Sequence, residues 1–247
     1  MCRAAPASVP SRSACIFSAN RSPKTSSPRS SSASRMNMHN LSELQQDALL
    51  EIFNVSIGRA ASAMSDMVSE TINMSVPAMQ FLTRKEAGDI LDLKGRRRIC
   101  SVAQGFAGSF SGEAVLMFPE ENSLEIVRMM LGSTIPLAHL TELEQDALNE
   151  VGNIILNSCI SAFADIFHEQ FDTTLPEVRV GSGMEAVGVN AERQQDGVLF
   201  LHIQFGFQRR HIEGYVVFLM DMPAFANLRA GIDRFLGLIP GNPGNPG

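Results

Sequence analysis

Two long stretches of this chain carry apolar residues at helical spacing, from Asp47 to about Val68 and from Asp146 to about Phe167. In the first, Leu49, Ile52, Ile57, Ala60 and Met64 recur at intervals that gather side chains on one side of a helix. Each stretch opens on a capping box, Ser42 with Gln45 and Thr141 with Glu144, in which two otherwise orphaned backbone N–H groups find partners. Such a cap is worth about 1 kcal/mol. The pattern then changes to strand-like runs. Cys100–Phe110 and Glu113–Phe118 are predicted strands joined by a glycine-containing turn, and Val198–Phe207 and Tyr215–Met220 are a second such pair. Short helices over Ser123–Leu131 and Pro223–Phe235 follow each pair.

The order of elements repeats because the residues repeat. Ser42-Glu-Leu-Gln-Gln-Asp47-Ala-Leu-Leu-Glu51-Ile-Phe-Asn54 returns, at an offset of 99, as Thr141-Glu-Leu-Glu-Gln-Asp146-Ala-Leu-Asn-Glu150-Val-Gly-Asn153. The same offset joins Pro77 to Pro176. With each residue type at roughly one position in twenty, so many matches at one offset mark a duplicated unit. The expected fold is α/β of the α+β type. A pseudo-twofold duplicated unit of long helix, antiparallel strands and short helix should form one domain over residues 39–238, with repeats at about 42–132 and 141–237.

Composition adds two tails. Residues 1–38 begin with a Ser-, Pro-, Ala- and Arg-rich stretch that cannot bury enough apolar surface to offset its ordering entropy. It reads as a disordered segment, or as sequence upstream of a start at Met36 or Met38. Its basic, acid-free character also fits a transit peptide, against which stand Pro6, Pro10, Pro23 and Pro28. Residues 239–247, rich in Pro, Gly and Asn, are expected to be a flexible tail.

The net charge of −6 is uneven: residues 1–35 hold six basic residues and no acidic one, which leaves −12 on residues 36–247. An acidic folded part disfavours nucleic acid as a partner. Cys2, Cys15, Cys100 and Cys159 form no Cys-x-x-Cys pair, which fits a reducing cytoplasm and neither a disulfide framework nor a zinc site. No metal or cofactor is expected on this chain, and no apolar run approaches the roughly 20 residues of a membrane span. Cys159 reads as a small core residue, and Gly181-Ser-Gly183 lacks the lysine of a phosphate-binding loop.

The candidate chemistry lies on the long helices. With Asp47 at zero, Glu51 falls about 40° to one side and Asn54 about 20° to the other, so the three share a narrow polar stripe. Asp146, Glu150 and Asn153 form its twin. The stripe should face solvent or a partner. An acidic stripe is ordinarily a solvated helix face. Two features set this one apart. Asparagine is a mediocre helix former, and the repeat keeps Asp, Glu and Asn where neighbours differ, as with Leu50 against Asn149 and Phe53 against Gly152.

The doubled pattern Asp-x-x-x-Glu-x-x-Asn, with a proline 23 residues after each asparagine, resembles the CheC/CheX/FliY chemotaxis phosphatases, most of all the CheC type, over about residues 40–237. The resemblance implies a hydrolase that removes the aspartyl phosphate of a CheY-like response regulator. It implies Glu51 and Asn54 as one catalytic pair and Glu150 and Asn153 as the other. In each pair the carboxylate meets the regulator's active-site lysine and the carboxamide orients the attacking water. Asp47 and Asp146 are then motif positions with a less direct role, orienting the stripe or contacting the partner. Mg²⁺ is expected on the regulator. The receptor deamidase CheD is a further partner the family implies. Two alternatives accompany this reading: a non-catalytic adaptor for a regulator or CheD, and a flagellar switch component. Against the latter stand the Glu/Asn pairs, absent from FliM-like domains, and a chain expected to lack the extra switch domain of FliY. The copies diverge after the asparagine, Val55-Ser-Ile-Gly58 in one and Ile154-Ile-Leu-Asn157 in the other, so the sites are expected to differ. Pro77 and Pro176 are expected to shape helix-to-strand turns, and Arg96-Arg97-Arg98 to be a solvated loop cluster.

Overall fold

A computed structural model of the chain describes residues 41–92, 98–131, 142–207 and 210–238. The first repeat runs α1 (Glu43–Val68), β1 (Ile72–Thr83), α2 (Arg84–Asp92), β2 (Ile99–Ala107), β3 (Ser111–Pro119) and α3 (Glu120–Leu131). The second runs α4 (Glu142–Phe167), β4 (Asp172–Thr173), β5 (Glu177–Gly181), α5 (Gly183–Ala186), β6 (Gly197–Phe207), β7 (Arg210–Met220) and α6 (Met222–Phe235). The long helices α1 and α4 each have 26 residues and sit 99 positions apart. Ser42 caps α1 as its sequence predicts: its hydroxyl accepts the Gln45 N–H at 3.3 Å, and the Gln45 side chain accepts the Ser42 N–H at 2.7 Å. The corresponding Thr141, the Arg96-Arg97 pair and the two expected tails lie outside the described residues.

All strand pairings are antiparallel, in the order β1-β6-β7-β3-β2-β4, with β5 also on β2. The central pair, β3 with β7, joins one repeat to the other. Each repeat then gives its first strand away. β1 pairs with β6 of the second repeat, while β4 and β5 together take the matching place on β2 of the first. Neither repeat can complete a sheet by itself.

Alternation along the strands builds two cores. Val102, Ala114, Leu116, Phe118, Leu201, Ile203, Phe205, Val216 and Phe218 face α1, α3, α4 and α6. Ile99, Ala103, Val115, Met117, Val198, Phe200, Val217 and Leu219 face the smaller layer of α2 and α5. Phe53, Phe118, Phe163, Phe205 and Phe218 are fully buried on the large side. Phe163 meets Phe53 and Phe218 edge to face, with centroids 5.8 and 4.8 Å apart. Each such side chain contributes roughly 1.5–3 kcal/mol by burial.

The helices α2 and α5 lie between the matched prolines and the predicted strands, where the pattern predicts no helix. They pack on each other so closely that a Cβ on Gly183 would lie 2.5 Å from the Leu91 Cβ. The prolines also depart from expectation. Pro77 stands inside β1, where the register slips between Ser75 and Ala78, so that Val76 and Pro77 together oppose Ile203. A proline has no N–H to donate, and a two-against-one bulge is where a strand tolerates one. Pro176 separates β4 from β5. Helix α4 has the length and mean hydropathy of a membrane span, 1.2 over 18 residues, yet half of that window is buried inside the protein, as in a core helix.

Candidate functional site

In the first copy Asp47 and Glu51 project from α1 into solvent. Asn54, one turn on, is half-buried and faces the strand. Its Nδ2 donates to the carbonyls of Leu50 at 3.0 Å and Val76 at 3.2 Å, and its Oδ1 accepts the Val76 N–H at 2.9 Å. The cause lies in the bulge. Val76 is 2% exposed and falls between the ladder pairs of Ser75 and Ala78, so its N–H and C=O lack strand partners. A buried backbone group without a partner is costly, and the Asn54 carboxamide, donor and acceptor side by side, serves both. Nearby, Ser65 makes a second clip by accepting the Ile72 N–H at 2.9 Å.

The second copy starts alike, with Asp146 and Glu150 exposed on α4. Its asparagine keeps different company. Asn153 Oδ1 accepts from Asn157 Nδ2 at 2.8 Å, and Asn157 Oδ1 accepts from Gln104 Nε2 at 3.2 Å. Gln104, 1% exposed on β2, also donates to the Thr174 carbonyl at 2.9 Å. Asn153 Nδ2 donates to no described residue. There is no bulge for it to serve, because the strand is broken between Thr173 and Glu177. Thr174 is held by Gly105, through Thr174 N–H to the Gly105 carbonyl at 3.0 Å and Gly105 N–H to Thr174 Oγ1 at 2.9 Å. Leu175, the counterpart of buried Val76, is 90% exposed. The expected outward stripe is thus found for both carboxylates of each helix, whereas Asn54 is turned onto β1.

Packing beneath the two sites differs in the same sense. Phe53, before Asn54, fills the core, whereas Gly152, before Asn153, lets α4 settle onto β2. A Cβ there would stand 2.4 Å from Val102 Cγ1. None of Asp47, Glu51, Asp146 and Glu150 has an ion-pair partner among the described residues, so the site faces are anionic and open to a cation. No group of three or more His, Cys, Asp or Glu able to hold a metal occurs among the described residues. Burial pushes the Cys159 thiol up to about 12 and Cys100 up to about 11, which leaves neither as a nucleophile at neutral pH.

Known proteins share parts of this sequence and its fold. The family profile "Chemotaxis phosphatase CheX" matches residues 100–203, a span that contains Gln104, Glu150, Asn153 and Asn157. The CheY-P phosphatase CheC of Bacillus subtilis is 29% identical over 145 residues, 56% of this chain and 67% of that protein. The flagellar motor switch phosphatase FliY of the same organism is 23% identical over 170 residues, 68% of this chain and 43% of FliY. The chain is similar to the CheC/CheX/FliY chemotaxis phosphatases in this matched region. Its architecture is also that of Thermotoga maritima FliY, at a TM-score of 0.64 and 16% identity over 80% of this chain and 98% of the other. The FliM middle domain of H. pylori gives 0.59 and 10% identity over 77% and 99%; both likenesses concern the fold alone. The B. subtilis FliY match spans less than half of that protein.

Two residues of this chain escape a reading by motif. Gln104 is a lone amide in the apolar run of β2, and Asn157 stands where the first copy has Gly58. The signal for the first is a buried polar group in a core strand, which must have a partner. The signal for the second is its place one turn after Asn153 on the same helix face.

Proposed function

We propose that this protein hydrolyses the aspartyl phosphate of a CheY-like response regulator in chemotaxis signalling, and that Glu150 and Asn153 of the second copy are the pair that acts. The observation that carries this reading is the pairing of an exposed carboxylate with a carboxamide whose Nδ2 is uncommitted, one turn apart on α4. An acyl phosphate already has a good leaving group. The regulator's own lysine and Mg²⁺ neutralise charge on the phosphoryl oxygens, and what the phosphatase adds is a water in line with the phosphorus, the positioning role glutamine plays in GTPases. Glu150 would hold the lysine through a charge-assisted hydrogen bond. Asn153 can donate through Nδ2 and accept through the Oδ1 lone pair that Asn157 leaves free, enough to fix a water's orientation. The water oxygen forms the new P–O bond as the aspartyl oxygen departs with the electrons of the old one. No covalent intermediate on this chain is needed.

Asp146 flanks the pair as a contact to the partner. In the first copy the exposed Asp47 and Glu51 retain a binding face while Asn54 is engaged with β1, which favours an adaptor role there, toward a regulator or CheD. The reading puts the protein in the cytoplasm.

The test is release of phosphate from a phosphorylated CheY-type regulator. Wild-type protein accelerates it, and the Asn54→Ala, Asn153→Ala double variant does not. A double variant as fast as wild type would refute the mechanism, and tight binding with no acceleration by wild type would favour the adaptor.

A further inference from the structure

We infer that Asn157 and Gln104 are positioning residues that set the carboxamide of Asn153, an assignment that rests on the phosphatase reading above. A side-chain amide turns easily about its last torsion, whose preferences are broad. An isolated Asn153 would present oxygen or nitrogen outward in turn. The relay removes that freedom. Gln104 is buried in the sheet, and its Nε2 bonds the Thr174 carbonyl and Asn157 Oδ1. That contact points Asn157 Nδ2 toward Asn153, four residues earlier on α4, where it meets Oδ1. The three amides run head to tail from the core to the surface, a chain in which each bond polarises the next. It ends on Asn153 Nδ2, the free donor.

Nothing of the relay exists in the first copy. The counterpart of Asn157 is Gly58, where an added Cβ would meet nothing within 4 Å, and the counterpart of Gln104 is Ile203, fully buried. Asn54 is oriented instead by the Val76 backbone, which leaves its Nδ2 occupied. The same motif asparagine is therefore held by two unrelated devices, and one of them leaves a donor for water.

If Asn157 served only to satisfy Gln104, its loss would alter stability and leave catalysis alone. Two substitutions separate the cases. Asn157→Asp keeps an acceptor for Gln104 but cannot donate to Asn153, and Asn157→Ala removes both bonds. Misplacing a reacting group by about 1 Å can cost 10²-fold, so kcat for a phosphorylated CheY-type regulator should fall roughly 10- to 100-fold in either variant. KM, and affinity for the same regulator held active by beryllium fluoride and Mg²⁺, should stay within about twofold, since neither residue meets the partner. The decisive arm is the double-mutant cycle: in an Asn153→Ala background, Asn157→Ala should lower kcat no further. Asn157 variants with wild-type kcat, or an equal loss in the Asn153→Ala background, would overturn the relay while leaving the phosphatase reading intact. Wild-type protein without activity would overturn both.

Discussion

The two halves of this chain are the instructive comparison. Both carry a 26-residue helix with the same Asp, Glu and Asn, and both place a proline 23 residues after the asparagine. In the first half that proline lies in a continuous strand and creates a bulge, and Asn54 satisfies the backbone of Val76 beside it. In the second half the strand is broken around the proline, Thr174 is tied to Gly105, and Asn153 accepts from Asn157 while its Nδ2 donates to no described residue. A motif therefore specifies residue types, and the neighbouring strand decides what those residues are free to do. Duplication has kept one asparagine as a clip on β1, and the other is the one proposed here for chemistry.

The largest expected effect addresses the helix seats. Phe53→Ala should cost about 3–5 kcal/mol, because a fully buried ring packed on Phe163 and Phe218 leaves a cavity. Its counterpart is destabilised for the opposite reason: Gly152→Ala adds a methyl against Val102 and should cost about 1–3 kcal/mol by overpacking. Urea unfolding measures both, and a neutral Gly152→Ala would contradict the close seat of α4 on β2. Next, Asn54→Ala strands the N–H and C=O of Val76 and should cost about 1–3 kcal/mol. Asn153→Ala strands no backbone group and should stay within about 0.5 kcal/mol. Equal thermal shifts for the two would erase the division proposed here. The smallest change in stability expected beyond that is a gain. Gly58 lies within α1 with open space around it, so Gly58→Ala should stabilise by about 0.5–1 kcal/mol in the same unfolding experiment.

Much of this architecture can be read from residues alone, for local reasons. Capping at Ser42, helical spacing from Leu49 to Met64 and alternation in Val198–Phe207 are each set by near neighbours, and the offset of 99 turns one unit into two. The exchange of first strands between repeats has no such signature, because pairing β1 with β6 depends on contacts more than a hundred residues apart. Pro77 misleads for a similar reason: a proline speaks for a turn unless a bulge accommodates it. At the site, Glu51 and Glu150 are legible from helix geometry. The difference between Asn54 and Asn153 is not, since it arises from Val76 on one side and from Gln104 and Asn157 on the other. Gly58 against Asn157 was the visible trace of it.

The central claim meets its most direct test in single-variant turnover. Phosphate release from one phosphorylated CheY-type regulator should slow by about 100-fold in Asn153→Ala, the scale expected when a positioned water is lost. In Asn54→Ala, assayed at a temperature where that variant remains folded, kcat should stay within about twofold of wild type. The reverse pattern, with Asn54→Ala slow and Asn153→Ala fast, would contradict the account.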